Sequence, residues 1–478
     1  MSHDPILDDF AARLRRCPDL PVAVSGTRRA TTADVDRSAR AVTERIASAG
    51  VSADALVGLA APNGPGFAAG FLGLRRAGCA VLLLDHRMPA AERESVAAAI
   101  GASGILTGAV AWPESSDHLG FRPLKGDGRT ISPPVATVRL TSGSTGAPRG
   151  IAHTSEALAM DDDDLTETMA LERDERILAS VPVSHAYGFV SVLLPALRRE
   201  SVMVVPEDDG PFAALTAAVD GDITFLPTVP AYLQAVLRMQ RPPALPPRLR
   251  LVITAGAPLP AATAAAFRRT YGRGVHVFYG ASEVGGITFD RTGEAAERGT
   301  LGTPVEGVSI ELAPVDGAPE GMGAVTVRSP AAAVGYVPGG GDRLNHGVFR
   351  TSDLGRFVGG ELELVGRLDD MINVRGKKVN PREVEGVLAE LEGVEEVVVV
   401  GVDDPSGAGE MVAAVLAVAD PGIRYGDVHH FCAPRLAGYK VPRAVAVVEA
   451  IPRTSRGKID RRAVLALADS ARAGSVER

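Results

Sequence analysis

At 478 residues, 46% of them hydrophobic and 23% charged, the chain is long enough for more than one buried core and too apolar to remain unfolded. Its net charge of −8 gives no basic footprint for nucleic acid or an anionic membrane, so neither is an expected partner and small molecules fit better. The three cysteines, Cys17, Cys79 and Cys432, are widely separated, offer neither a disulfide framework nor metal-ligand spacing, and are expected to be reduced and structural.

The first twenty residues, "MSHDPILDDFAARLRRCPDL", carry acids where a secretory leader is basic, and no apolar run in the sequence approaches a membrane span, so a cytoplasmic location is expected. Apolar runs then alternate with helical patterns: "LVGLAAP" (56–62), "GFAAGFLGLRRAG" (66–78), "AVLLLD" (80–85) and "PAAERESVAAAIGAS" (89–103). That alternation predicts βαβ units on a largely parallel sheet. The rhythm returns in "SVMVVPE" (201–207), "PFAALTAAVD" (211–220), "ITFLPTVP" (223–230), a helix over 231–239, "LRLVITAG" (249–256) and "HVFYG" (276–280), which predicts a second α/β layer. From 309 to 366 strands and turns dominate, as expected of a small β subdomain closing the large domain over residues 1–366. Residues 367–478 read as a separate α+β domain: the helix "NPREVEGVLAELEGV" opened by Asn380 with Pro381 at its first position, the strands "EEVVVVGV" and "MVAAVLAVA", a helix over 426–436 and the strand "AVAVVEAIP". The run Asp161–Asp164 is expected to be a solvated stretch of helix, because consecutive helical residues do not share a face.

The stretch "TSGSTGAPRG" (141–150) follows the apolar run 136–140 and packs three glycines and four hydroxyl side chains into ten residues. Glycines let backbone N–H groups converge on an anion without obstruction by Cβ, so the stretch reads as a phosphate-binding turn. It is not a P-loop, which needs Lys followed by Ser or Thr and then a helix; here the basic residue is Arg149, between Pro148 and Gly150.

Six further blocks follow in order: "VPVSHAYGF" (181–189), "AGAPLP" (255–260), "FYGASE" (278–283), "FRTSDLGR" (349–356), "GRLDDMINVRGKKVNPREVE" (366–385) and "PRTSRGKIDR" (452–461). Together the seven resemble the adenylate-forming superfamily of acyl-CoA and aryl-CoA synthetases, nonribosomal peptide synthetase adenylation domains and beetle luciferases, and the resemblance spans essentially the whole chain. It implies a large α/β N-terminal domain and a small mobile α+β C-terminal domain. The implied chemistry activates a carboxylic acid with ATP and Mg²⁺ as an acyl-adenylate, which is then passed to a thiol.

The resemblance also implies roles. Thr141, Ser142, Gly143, Ser144, Thr145, Gly146 and Arg149 would cradle the β- and γ-phosphates; most relatives carry Lys at the last position, and Arg keeps the charge. Glu283 would hold magnesium, Ser282 a phosphate oxygen, and Tyr279 would stack on adenine against a wall built from Gly256 and Ala257. Asp353 and Arg367 would bind ribose, Asp369 would be the hinge of the small domain, and Lys458 would bridge the attacking carboxylate and the α-phosphate. Ser352 stands where relatives commonly have Gly. His185, Phe189, Thr228, Val229, Ala255 and Gly285 would border the acyl pocket, and the absence of an Asp between Val181 and Phe189 argues for an acid without an α-amine.

CoA is the expected thiol acceptor, with the phosphopantetheine of a separate carrier protein as the close alternative. A luciferase-like oxygenase and a catalytically silent homologue are the further alternatives; joint retention of Lys458, Glu283 and Asp353 argues against the last.

Overall fold

The computed structural model describes residues 3–108, 119–125, 128–131, 135–140, 148–207, 213–315, 320–339, 343–374, 377–405, 409–418, 422–453 and 459–476. The chain divides into two compact units. The first comprises 1–310, 326–350 and 359–362, and the second 311–325, 351–358 and 363–478.

The first unit holds two sheets. In the seven-stranded sheet, strands Val135–Leu140, Ala80–Leu83, Leu56–Ala60 and Gly104–Gly108 lie side by side and parallel, with antiparallel strands at both edges. The nine-stranded sheet has a parallel centre of Val202–Val204, Arg176–Leu178, Phe225–Thr228, Leu251–Thr254 and His276–Ala281. These are the two α/β layers read from the alternating pattern. Helix Pro65–Arg76 explains how they share one core: it is buried from Pro65 to Leu74, as expected of a helix apolar on every side. Its neighbours in that core come from both sheets, Val57 and Leu59 from one, Ile177, Phe225 and Ile253 from the other.

In the second unit, Val394–Asp403 pairs antiparallel with Glu410–Val418, which pairs parallel with Ala444–Val448. Alternate residues of these strands face two different cores. Val399, Val412, Ala414 and Leu416 pack with helices Pro381–Leu388 and Tyr425–Cys432, whereas Val398, Val400, Ala413 and Val415 pack with Val464 and Ala468 of helix Arg461–Val476. A sheet covered on both faces needs apolar residues at every position, which is why its strands read as unbroken Val and Ala runs. Asn380 caps its helix, accepting from the N–H of Arg382 at 3.1 Å.

One expectation is corrected. In helix Ser155–Thr168, Asp163 is exposed, but Asp161 and Asp162 are only 3% and 1% accessible. The helix turns its consecutive residues to different surroundings, and two of those surroundings are buried and furnished with partners. Asp162 pairs with Arg198 at 2.7 Å and Arg199 at 3.1 Å, while Asp161 Oδ1 accepts from the N–H of Gly286 at 3.0 Å. The three cysteines are unpaired, and burial pushes the Cys79 thiol up to about 11, as suits an inert core thiol. Among the described residues, no helix is long and apolar enough to cross a membrane.

Candidate active site

Ligands of open α/β sheets collect at the carboxyl ends of the strands, and there the first unit gathers several of the residues singled out above. Strand Phe225–Thr228 ends in Thr228 and Val229, and Leu251–Thr254 runs into Ala255, Gly256 and Ala257. The next strand, His276–Ala281, carries Tyr279 and ends at the turn bearing Ser282 and Glu283. Thr228 is in register with Thr254, and Thr254 with Val277, so these ends lie level. Gly256 has φ +82 and nothing within 4 Å of where a Cβ would stand, leaving an open approach beside the strand ends.

The "FYGASE" block is a hairpin tip. Ala281 pairs with Gly285, the N–H of Val284 donates to Ala281 O at 3.2 Å, and Gly285 follows at φ +73, a geometry natural to glycine. Ser282 and Glu283 are therefore presented on a rigid turn, both half-buried. The hydroxyl of Tyr336 donates to Glu283 Oε1 at 3.4 Å. Burial, and next the charge of Glu283, push this phenol up to about 12, while Arg149 acts on it in the opposite sense. Glu283, Tyr336 and Arg149 thus share one neighbourhood. Among the described residues, no group of three or more His, Cys, Asp and Glu side chains is arranged so that it could hold a metal ion. Glu283 is a lone hard-oxygen donor, a set that suits Mg²⁺ when phosphates and water supply its other ligands.

Residues 141–147, with Thr141, Ser142, Gly143, Ser144, Thr145 and Gly146, lie outside the described residues, as does Lys458. Their flanks are informative. Leu140 pairs with Gly150 and Arg139 with Ile151 in antiparallel register, so the described residues on either side of the Gly-rich segment are paired strands. Around Lys458, Arg453 and Ile459 form an antiparallel bridge, and the Asp460 N–H donates to Pro452 O at 2.8 Å.

His185 meets a residue that sequence reasoning missed. Its Nε2 lies 3.5 Å from Asp85 Oδ2, and Asp85 follows strand Ala80–Leu83 of the other sheet. The hydrogen bond with His185 holds this carboxyl far below the ordinary range, against the opposing effect of burial. Asn63, also missed, anchors the segment leading to His185. Its Nδ2 donates to Ala179 O at 2.9 Å and Val181 O at 2.8 Å, and its Oδ1 accepts from the Val183 N–H at 2.9 Å. Tyr187 fastens the same segment to the strand ends, its hydroxyl lying 3.2 Å from Thr228 O and accepting from the Thr228 N–H at 3.0 Å. Phe189 opens the π-helical turn Phe189–Leu193 and is fully buried, edge-on to Phe71 at 5.3 Å between centroids. These residues are joined through packing between distant elements, and only their polar character in apolar contexts could have marked them.

The second unit collects another group. Asp353 takes its place in strand Val348–Val358, its N–H donating to Thr351 Oγ1 at 2.9 Å, and Arg367 Nε stands 3.7 Å from its Oδ1. Ser352, at the position where relatives commonly have Gly, donates its hydroxyl to Asp369. The neighbouring Asp370 takes a two-pronged hydrogen bond from Arg461. Asp369 lies in the short turn Leu368–Asp370 and is exposed.

Asp161 allows a pH prediction. Burial raises its carboxyl from 3.8 to about 6, with the Gly286 N–H and Arg139 pulling downward. A carboxyl raised on folding contributes stability that is complete below the unfolded value and is lost as pH rises through the folded one. Asp161→Asn, which keeps an acceptor for Gly286, is therefore expected to raise stability at pH 7–8 by up to roughly 3 kcal/mol and to change little near pH 4. Urea unfolding at the two pH values tests this, and an equal difference at both would contradict it.

Comparison with known proteins fits this arrangement. Residues 10–337 match the AMP-binding enzyme family, and residues 383–458 match the AMP-binding enzyme C-terminal domain. A feruloyl-CoA synthase of Amycolatopsis sp is 30% identical, covering 94% of this chain and 96% of that protein. The long-chain-fatty-acid–CoA ligase FadD13 of Mycobacterium tuberculosis is 26% identical over 90% of this chain and 92% of its own. In fold, the chain is similar to O-succinylbenzoate CoA synthetase (MenE) of Bacillus subtilis in complex with its acyl-adenylate intermediate, at a TM-score of 0.80 and 21% identity, with 95% of this chain and 97% of that one covered. The chain belongs to the AMP-binding enzyme family and is an adenylate-forming acid–thiol ligase of the acyl-CoA synthetase type.

Proposed function

We propose that the enzyme converts a carboxylic acid without an α-amine, ATP and CoA into an acyl-CoA, AMP and pyrophosphate, with the residues named from the sequence in the roles given there. The observation that carries this reading is the gathering of Glu283, Tyr336 and Arg149 beside the paired strands that end at Leu140 and begin at Gly150. A cation, a carboxylate and a Gly-rich sequence between two paired strands are what a nucleoside triphosphate requires.

Carboxylates are poor acyl donors, because the leaving group would be oxide. Attack of one carboxylate oxygen on the α-phosphorus of ATP expels pyrophosphate and gives an acyl-adenylate, whose AMP is a good leaving group for a thiol. In this reading the segment 141–150 grips the outgoing pyrophosphate, Tyr279 and the Gly256–Ala257 turn hold adenine, and Asp353 with Arg367 holds ribose. Mg²⁺ held at Glu283 would neutralise triphosphate charge. Lys458 places its ammonium between the attacking oxygen and the α-phosphate as charge develops. The small domain, 367–478, then turns about Asp369 to admit the thiol; Ser352 and Arg461 hold that turn through Asp369 and Asp370. Asp85 reaches the neighbourhood of the acyl pocket, but its carboxylate is already engaged by His185 and by the Arg87 N–H at 2.9 Å, in keeping with an acid that brings no ammonium.

The test is acid-dependent exchange of labelled pyrophosphate into ATP across aryl, short-chain, long-chain and amino acids, followed by trapping the acyl group on CoA. Exchange with one class of acid and a CoA thioester as product are expected; ATP binding without exchange for any acid would overturn the reading. Transfer to carrier-protein phosphopantetheine but not to CoA would overturn the choice of thiol.

The ribose assignment gives a separate prediction. A hydrogen bond to a charged acceptor contributes about 1.5–3 kcal/mol, so Asp353→Asn should raise the KM for ATP by roughly tenfold to a hundredfold. It should also erase the enzyme's preference for ATP over 2′-deoxy-ATP. An unchanged preference would remove Asp353 from the ribose site.

A further inference from the structure

Arg139 is the penultimate residue of the strand that feeds the Gly-rich segment, and it is 2% accessible. Among the described residues its Nε and Nη2 have no hydrogen-bond partner, and neither does the hydroxyl of Thr137, two residues earlier and on the same face of the strand. Among the described residues no ion pair engages it. What it touches is the ring of Phe189, 5.1 Å from the guanidinium carbon.

The same chain shows how a structural buried arginine is treated. Arg13 is 0% accessible. It gives Nε to Thr32 Oγ1 at 3.1 Å, Nη1 to Ala196 O at 2.9 Å and Ser201 O at 3.1 Å, and Nη2 to Pro21 O at 2.8 Å. A buried donor left unmatched is costly, and a buried charge more so. Arg139 keeps two unmatched donors in the same core that saturates Arg13.

Asp161 lies within electrostatic reach of Arg139 without forming an ion pair. Its Oδ1 is taken by the Gly286 N–H, and its carboxylate packs where a Cβ on Gly285 would stand. Gly285 and Phe189, the two residues these charges adjoin, are both assigned above to the acyl pocket. Arg139 thus adjoins Phe189, and Asp161 adjoins Gly285, one charge beside each of two residues assigned to the pocket.

Resting on the reading of that pocket given above, we propose that Arg139 and Asp161 form its polar end and recognise a hydroxyl on the acid, remote from the carboxylate that is activated. A hydroxyl satisfies both at once, accepting from the guanidinium and donating to the carboxylate. A second carboxylate would suit Arg139 but would be repelled by Asp161, and a purely apolar tail would leave both unanswered. A phenol is the strongest such donor among ordinary hydroxyls, so the substrate class is a hydroxyaryl carboxylic acid.

The experiment compares kcat/KM for pyrophosphate exchange on matched acids: 4-hydroxycinnamate with cinnamate, 4-hydroxybenzoate with benzoate, and 4-carboxycinnamate as the dicarboxylate. Sites built to hydrogen-bond a substrate hydroxyl reject the analogue lacking it by large factors, so a preference of about a hundredfold or more for the hydroxylated acid is expected in at least one pair. Arg139→Met and Asp161→Asn should each reduce that ratio to within a few-fold, chiefly by slowing the hydroxylated acid. The wild-type ratio tests the proposal even if a variant fails to fold. Exchange without a hydroxyl preference, or with a preference for the dicarboxylate, overturns this proposal and leaves the ligase reading intact. Absence of exchange with every acid overturns the ligase reading, and this proposal with it.

Discussion

Lys458→Ala is expected to lower acid-dependent pyrophosphate exchange by about 10²–10³-fold, the loss typical of removing one preorganised donor from a developing oxyanion. In the role proposed for it the ammonium meets charge that accumulates only as the carboxylate attacks phosphorus, so its loss should fall on kcat and leave the KM for ATP within a few-fold. Thioester formation from a supplied acyl-adenylate provides the control, because the P–O bond has already been made and the role proposed for Lys458 does not extend to breaking the acyl–AMP bond. That half-reaction should survive in the variant. Lys458→Arg should rescue little, since a planar fork does not replace a compact ammonium on a flexible stem. Equal loss of both half-reactions would instead mark Lys458 as a general stabiliser of the small domain.

The strand ends bearing Thr228, Ala255, Tyr279 and Glu283 were legible because phosphate and carboxylate chemistry draws on short local patterns, whereas Lys458 and 141–147 lie outside the described residues. A loop that wraps an anion needs its glycines and hydroxyls within a few residues, and the strand-end blocks carry their ligands in sequence. The layered fold was legible for a related reason: helix Pro65–Arg76, buried on every side, and the doubly covered strands of the second unit print their surroundings directly into their apolar pattern. Contacts between distant elements left no such print. Asp85 reaches His185 across two sheets, Tyr336 reaches Glu283 from 53 residues away, and nothing local marks either acid as paired. Asp161 and Asp162 were misread for the same reason, since a run of acids looks solvated until the arginines at 198 and 199 and the N–H of Gly286 are folded onto it. Nor does the small unit's composition, which draws in 311–325 and 351–358 as well as the C-terminal run, follow from a linear change of texture.

Glu283→Gln is expected to reduce pyrophosphate exchange by about 10²-fold, comparable to losing a single preorganised electrostatic contact. The variant keeps the shape of the turn, an acceptor for the Tyr336 hydroxyl and the Ala333 N–H bond to the backbone carbonyl at 2.8 Å, so the fold should be unaffected. It removes one negative charge from a place where Arg149 supplies the positive one. Mg²⁺ prefers anionic oxygen and surrenders its water reluctantly, so a neutral amide should leave the metal to the phosphates alone. Two consequences separate this from a general loss of function. The Mg²⁺ concentration giving half-maximal exchange should rise, and the gain in ATP affinity that Mg²⁺ confers, read by calorimetry without turnover, should shrink while AMP affinity holds. The phenol of Tyr336, pushed up by burial and next by the Glu283 charge, should at the same time titrate lower. If the Mg²⁺ dependence is unmoved and only the rate falls, Glu283 acts on the phosphates through Tyr336 and Arg149, and the metal is held elsewhere.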